Sequence, residues 1–288
     1  MTNLAVHLRN ASSRLSQAGV DTPALDARLL LEHVLGKDHA YLIAHPEAML
    51  SAKQLARLEE LLTRRAGAEP IAHILGVREF WKDRFLVTKD TLVPRPDSET
   101  LIEAALELAP DAQRILDLGT GTGCLLISLL REYPRAKGVA VDVSADALDV
   151  ARSNAETLGV ADRMTFLQGA WEAARGERFD LIVSNPPYIP TADIAELDAD
   201  VRDYEPRLAL DGGEDGLSAY RQIAALLPDL LTPGGIAVFE CGIDQAESVR
   251  VTVSAHGLKH ISTFSDLAGI PRAVAFLYKD TTRKETSR

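Results

Sequence analysis

The chain has 288 residues, 46% hydrophobic and 25% charged, the balance of an ordinary soluble globular protein with one large or two modest domains. Its formal net charge of −11 argues against a broad nucleic-acid footprint, where lysine and arginine must neutralise phosphates. No apolar run is long enough to span a bilayer, and "MTNLAVHLRNASSRLSQAG" lacks the unbroken apolar segment of a secretory signal, so no membrane partner and a cytoplasmic setting are expected.

Residues 1–76 read as a small helical bundle. Leu4, Leu8 and Leu15, then Leu25, Leu29 and Leu30, recur at helical spacing. Asp21-Thr22-Pro23 marks a helix start, and Ser51 with Gln54 has the spacing of a capping box. His7, His33, His39 and His45 have no cysteine or carboxylate at ligand spacing, so they read as surface or core histidines. Residues 77–93 form a β-hairpin-like connector in which "REFWKDRFLVT" turns at Lys82-Asp83. The remainder, 94–288, is the larger domain.

From Arg114 strands and helices alternate. "RILDL", "KGVAVDV", "RMTFLQ", "FDLIVS", "GIAVFEC" and "RAVAFLY" read as strands; "CLLISLLREY", "ADALDVARSNAETLG" and "LSAYRQIAALLPDLL" read as helices. Such alternation predicts an α/β fold with a mostly parallel, Rossmann-like sheet covered on both faces, whose ligands sit beyond the carboxyl ends of the strands. Cys124 and Cys241 lie in apolar settings and read as small core residues in a reducing compartment.

"ILDLGTGTGCLLISLL" is a strand, a glycine turn and a helix. Gly119, Gly121 and Gly123 allow a tight turn and close approach of backbone to ligand, with helix N–H groups expected to face it. The spacing is G-x-G-x-G and not the dinucleotide G-x-G-x-x-G. Asp142, at the end of the next strand, stands where a carboxylate accepts hydrogen bonds from both ribose hydroxyls, so the pair of features points to a nucleoside cofactor. Asp117 either faces a positive group on that ligand or stabilises the turn.

The strand "FDLIVS" breaks into Asn185-Pro186-Pro187-Tyr188. Pro186 holds Asn185 extended, and the two rings fix the directions of the intervening carbonyls. The Asn185 side-chain oxygen and the Pro186 carbonyl are then two acceptors for a planar –NH2 group, with Tyr188 offering a face for stacking. An amide nitrogen is a poor nucleophile. Two fixed acceptors polarise its N–H bonds and turn it toward an electrophile, for which a sulfonium methyl carried by a nucleoside is the natural choice.

With these residues in place, the chain resembles the S-adenosylmethionine-dependent protein-(glutamine) methyltransferases that modify peptide chain release factors. The likeness runs almost end to end, through "AGVDTPALDARLLLEHVLG", "EFWKDRFLVTKDTLVPRPDSE", "ILDLGTGTG", "IVSNPPYIP", "DVRDYEPRLALDGGEDGL" and "GIPRAVAF". The resemblance implies a cofactor site at Gly119, Thr120, Gly121, Thr122, Gly123 and Asp142, reaching Asn185, with Trp171 near the adenine. It implies that Asn185, Pro186, Pro187 and Tyr188 hold the substrate amide, Asn185 and Pro186 being the catalytic pair. S-adenosyl-L-homocysteine is the implied product, and the glutamine of a Gly-Gly-Gln motif the implied target. Arg95 and Glu99 either shape the site or act at a domain hinge. Relatives often carry Asp before the tryptophan; here "QGAW" places Ala170, which leaves the adenine amino group to backbone or water.

Four other readings compete: an amino-methyltransferase of nucleic acid, a glutamine methyltransferase of a ribosomal protein, a cofactor-binding protein without catalysis, and an NAD-linked oxidoreductase. The acidic balance and a bundle without a Lys/Arg cluster count against the first, and the glycine spacing against the last. The amide receptor beside the cofactor turn counts against the third. The bundle reads as a recognition surface for a protein substrate, or alternatively as a lid or stability module, and no direct nucleic-acid binding is expected.

Overall fold

The computed structural model describes residues 3–279. The chain divides into two units: Met1–Val77 with the short segment Asp198–Tyr204, and Arg78–Leu197 with Glu205–Arg288.

The first unit is helical. Its longer helices are Leu4–Gln17, Pro23–Leu35 and Ala52–Ala66, with short ones at His39–Ala44 and Ile71–Leu75. Leu15, Leu30, Leu31 and Leu61 are fully buried between them, as the helical spacing requires. The capping box forms: Ser51 Oγ accepts from the Gln54 N–H, and Gln54 Oε1 accepts from the Ser51 N–H. Thr22 departs from expectation. It precedes the helix but does not cap it with its side chain; its hydroxyl donates to Asp26 Oδ1. Asp26 is buried and needs that bond, along with a 2.6 Å ion pair to Arg65. In the return segment, the Tyr204 hydroxyl donates to the Gly67 carbonyl.

From Arg78 the second unit opens with a hairpin, β1 (Val77–Phe80, whose first residue closes the first unit) and β2 (Asp83–Leu86). The turn lies at Trp81-Lys82, one residue earlier than the sequence suggests, because Trp81 takes a left-handed conformation (φ 55°) and Glu99 accepts its N–H at 2.8 Å. Phe80 and Phe85 meet edge to face at 6.1 Å and belong to the core of this unit.

The sheet strands are β3 (Arg114–Leu118), β4 (Lys137–Asp142), β5 (Met164–Gln168), β6 (Phe179–Ser184), β7 (Leu231–Glu240), β8 (Leu258–Ser265) and β9 (Pro271–Tyr278), in the order β5-β4-β3-β6-β7-β9-β8. β3 to β7 are parallel, and β9 runs antiparallel between β7 and β8. The α/β, mostly parallel architecture read from the alternation is present. β8 is absent from that reading because its polar, half-buried "LKHISTFS" carries little apolar alternation. Successive residues feed opposite faces: Ile115, Leu181 and Val183 join one apolar layer, Leu116, Leu118 and Ile182 the other.

β3 is the pivot of this order. The chain adds β4 and β5 on one side of it, then returns to place β6 and β7 on the other. A crevice therefore opens beyond the carboxyl ends of β3 and β6. The Ser184 hydroxyl ties those two ends together, donating to the Leu118 carbonyl at 2.6 Å.

Candidate active site

A cavity of about 500 Å³ occupies this crevice, a size suited to a small ligand. The turn after β3 forms one wall. Gly119 has φ +76°, and a Cβ there would stand 3.4 Å from the Trp171 ring, so this glycine brings backbone and indole together on the cavity wall. Gly123 serves packing. Its φ is +79°, and a Cβ would come within 2.9 Å of Ile127 and 3.2 Å of Ala151. It does not line the cavity.

The N–H groups of the turn are mostly spent inside the protein. Gly119 and Thr120 both donate to the Val141 carbonyl, Gly123 to the Thr120 carbonyl, and Gly121 to Asp142 Oδ2 at 2.9 Å. The turn is thus a shaped wall and not the cradle of free N–H donors that a phosphate requires. Asp142, at the end of β4, also accepts from the Ser144 N–H through Oδ1 at 3.0 Å. Each oxygen is oriented by one backbone bond and keeps acceptor capacity on the cavity side. Asn154, absent from the sequence reading, braces the turn from below. Its amide donates to the Thr122 and Leu86 carbonyls and accepts from the Leu86 N–H at 2.7 Å.

Asn185 follows β6 and lines the same cavity. Its Nδ2 donates to Ser98 Oγ at 3.3 Å, leaving Oδ1 as its acceptor. Pro187 also lines the cavity; Pro186 is buried, and neither it nor Tyr188 contributes to the walls. The Tyr188 ring packs against the apolar layer beneath, and its hydroxyl lies 3.5 Å from Glu240 Oε1. Burial, then the neighbouring Glu240, pushes that phenol's pKa upward.

Buried carboxyls underlie both walls. Asp117 is fully buried, accepts from the Thr120 hydroxyl at 2.6 Å and does not line the cavity, so it serves the turn. Burial raises its pKa to about 7, and the Thr120 hydroxyl opposes the shift. Glu240, at the end of β7, is 1% exposed; burial lifts it to about 7 against the Ser98 hydroxyl and Arg272, which favour its charged form. Arg272 joins Asp97 at 2.9 Å and Asp266 at 3.1 Å, anchoring the turn Pro96–Ser98.

Of the residues singled out from the sequence, Gly119, Thr120, Gly121, Thr122, Asp142, Trp171, Asn185 and Pro187 meet at the cavity. Arg95 is there too, paired with the buried Glu205 at 2.8 Å. Glu99 is not; it holds the Trp81 turn. Ala170 lines the wall beside Trp171, whose indole N–H donates to Gln222. Ser98, Val143 and Leu208 also line it, and nothing in their local sequence distinguishes them. No cluster of three or more metal-ligating side chains occurs among the described residues. No helix there is long and apolar enough to cross a membrane.

A Rossmann-like sheet with a glycine turn, an acidic strand end and a polar motif after β6 around one cavity is the fold of class I methyltransferases. Solved structures agree on the fold: the catalytic domain of hMettl16, crystallised with the MAT2A 3′UTR hairpin 6, superposes with TM-score 0.56 at 15% identity, covering 85% of this chain and 94% of that one. A ribosomal protein L11 methylase from Lactobacillus delbrueckii subsp. bulgaricus gives 0.51 at 16%, covering 66% and 82%. Residues 7–76 match the PrmC N-terminal domain, and residues 96–198 match the methyltransferase small domain.

The particular family follows from closer relatives. The chain is 48% identical to the release factor glutamine methyltransferase of Cereibacter sphaeroides, over 93% of its length and 96% of the relative's. It is 45% identical to that of Caulobacter vibrioides, over 92% of each. It is 44% identical to that of Vibrio cholerae, over 94% and 96%. The chain belongs to the release factor glutamine methyltransferase family.

Proposed function

We propose that this protein transfers a methyl group from S-adenosyl-L-methionine to the side-chain amide nitrogen of the glutamine in the Gly-Gly-Gln motif of peptide chain release factors, supporting translation termination. The observation that carries the reading is Asn185: its nitrogen is engaged by Ser98, so its oxygen is the group left to accept in a cavity shared with the glycine turn and Asp142. The names carried by the relatives favour the release factor over a ribosomal protein or nucleic acid as the substrate.

The cavity fits the cofactor chemically. Asp142 offers oriented carboxylate oxygens to ribose hydroxyls, Trp171 and Val143 offer apolar contact to a purine, and the glycine turn admits the nucleoside without a phosphate cradle. When bound, the cofactor would supply an electrophilic methyl and leave as S-adenosyl-L-homocysteine, the amide nitrogen giving up one of its two protons to water as the methyl is added. The protein's part is orientation. Asn185 Oδ1 accepts an amide hydrogen of glutamine, which raises electron density on its nitrogen and holds it in line; the second acceptor expected from the sequence, the Pro186 carbonyl, belongs to a buried residue off the cavity walls and reaches the substrate only if the motif shifts on binding. Tyr188, expected to be a stacking face, is recast: its partly buried ring packs against the apolar layer and supports the motif from behind. The helical unit is assigned to recognition of the release factor, and the setting to the cytoplasm, where that substrate works.

The test is incubation of the purified protein with labelled S-adenosylmethionine and a release factor, followed by mass mapping. One methyl on the Gly-Gly-Gln glutamine is expected, and none when that glutamine is changed to glutamate. Labelling elsewhere on the factor, or of the glutamate variant at this position, contradicts the reading.

A further inference from the structure

The run "LALDGGEDGL" and the start of the helix Ala246–Ser254 meet the end of the Asn-Pro-Pro-Tyr motif away from the cavity. Gly212 donates its N–H to the Ile189 carbonyl at 2.8 Å, and Ile189 donates to the Leu210 carbonyl at 3.1 Å. Gln245, just before the helix, donates Nε2 to the Tyr188 carbonyl at 2.9 Å and accepts the Gly242 N–H through Oε1 at 3.1 Å. Its own backbone is engaged as well: its N–H donates to the Gly242 carbonyl, and its carbonyl accepts from Val249. Neither Gln245 nor Tyr188 lines the cavity.

One partner of the Gln245 side chain is a backbone N–H and the other a backbone carbonyl, so its amide is oriented by groups that cannot exchange roles. A carboxamide supplies both a donor and an acceptor; a carboxylate supplies acceptors alone. The space is cut to admit it. A Cβ on Gly216 would stand 2.6 Å from Gln245 Nε2 and 2.3 Å from the Tyr188 carbonyl oxygen, and one on Gly242 would stand 2.7 Å from Oε1. The motif is thus held at both ends: Ser184 ties its start to Leu118, and Gln245 ties its end at Tyr188. Between them the two prolines fix their φ angles, so the run moves as a nearly rigid piece. We propose that Gln245 is a positioning residue: by holding the Tyr188 carbonyl it keeps Asn185 where its side-chain oxygen meets the reacting amide. The proposal rests on the amide-receptor reading of Asn185 and adds the residue that sets the motif in place.

The experiment is a double-mutant cycle in the full-length protein, with rates counted per cofactor-binding site so that unfolded protein does not enter. Gln245→Met has similar length but neither polar group. It should lower kcat on the release factor about 10- to 100-fold, the range for a small misplacement of reacting groups, with S-adenosylmethionine affinity by calorimetry unchanged. Gln245→Glu keeps the shape and the Gly242 bond but turns lone pairs on the Tyr188 carbonyl, so it should be impaired at least as much. It also carries the test if the methionine variant does not fold. In an Asn185→Ala background either change should cost little further, because the acceptor being positioned is gone. Wild-type kcat in a folded Gln245 variant, or losses that multiply in the double variant, overturns the positioning role even while Asn185→Ala is impaired. Full turnover by Asn185→Ala alone would instead remove the underlying receptor reading.

Discussion

Gly121 donates its backbone N–H to Asp142 Oδ2 at 2.9 Å, so the turn after β3 and the carboxylate ending β4 form one hydrogen-bonded wall. Asp142→Ala should weaken S-adenosylmethionine binding by about 1–3 kcal/mol, the range for lost bonds to a charged group. Asp142→Asn should also weaken it, because both oxygens face backbone N–H donors and an amide –NH2 would oppose one of them. Calorimetry on the folded variants decides; unchanged affinity takes Asp142 out of the site.

Asn185→Ala should act on turnover. Removing one preorganised acceptor costs about 100- to 1,000-fold in kcat, while cofactor affinity stays near wild type. Asn185→Asp keeps an acceptor but adds negative charge near the cofactor's cationic sulfur, so cofactor binding should tighten while the amide pose is lost. Steady-state kinetics paired with calorimetry separate the two effects.

Asn154 is 2% exposed and makes three bonds joining the hairpin to the glycine turn. Its replacement by alanine leaves the Thr122 carbonyl without this partner in a buried setting and removes both bonds to the more exposed Leu86, at a cost of about 1–3 kcal/mol. Urea unfolding should register that loss, and saturating cofactor should stabilise wild type and variant alike, widening the difference only if the loosened turn also lowers affinity.

Asp117 gives a pH dependence with a definite sign. Its carboxyl is raised to about 7 in the folded protein against an ordinary 3.8, so between those values the native state holds a proton that the unfolded chain has released. Stability from this group is greatest at low pH and falls as pH rises through the window. Asp117→Asn is neutral throughout and keeps an acceptor for Thr120. The variant should gain stability relative to wild type as pH is raised from about 4 to about 7; a constant difference across that range would show Asp117 ionised in the native state.

A chain beginning at Arg78 should fold and bind cofactor, yet methylate the intact release factor poorly. One beginning at Pro94 discards Phe80 and Phe85, each buried in the core of the second unit, and should be less stable by about 1.5–3 kcal/mol per ring. Thermal unfolding compares the two fragments. Equal stability would mean that the hairpin is dispensable, and wild-type rates on the release factor would deny recognition to the helical unit.

Local chemistry wrote much of this protein into its sequence. The Ser51–Gln54 box, the alternating residues of β3 and β6, the glycine turn with Asp142, and the rigid Asn-Pro-Pro run each depend on neighbours a few positions away, or on the regular return of a βα unit, and were legible for that reason. Other features depend on where distant segments meet. Glu99 could be read equally as a site residue or a hinge residue until the hairpin brought the Trp81 N–H to it. The same holds for Asn154 with Leu86, 68 positions away, and for Asn185 with Ser98, 87 positions away. A buried polar atom takes whichever partner packing brings within about 3 Å. No spacing along the chain encodes that choice. The acceptor after β6 was written in the sequence, but the serine that receives its amide nitrogen was brought beside it only by the folded sheet.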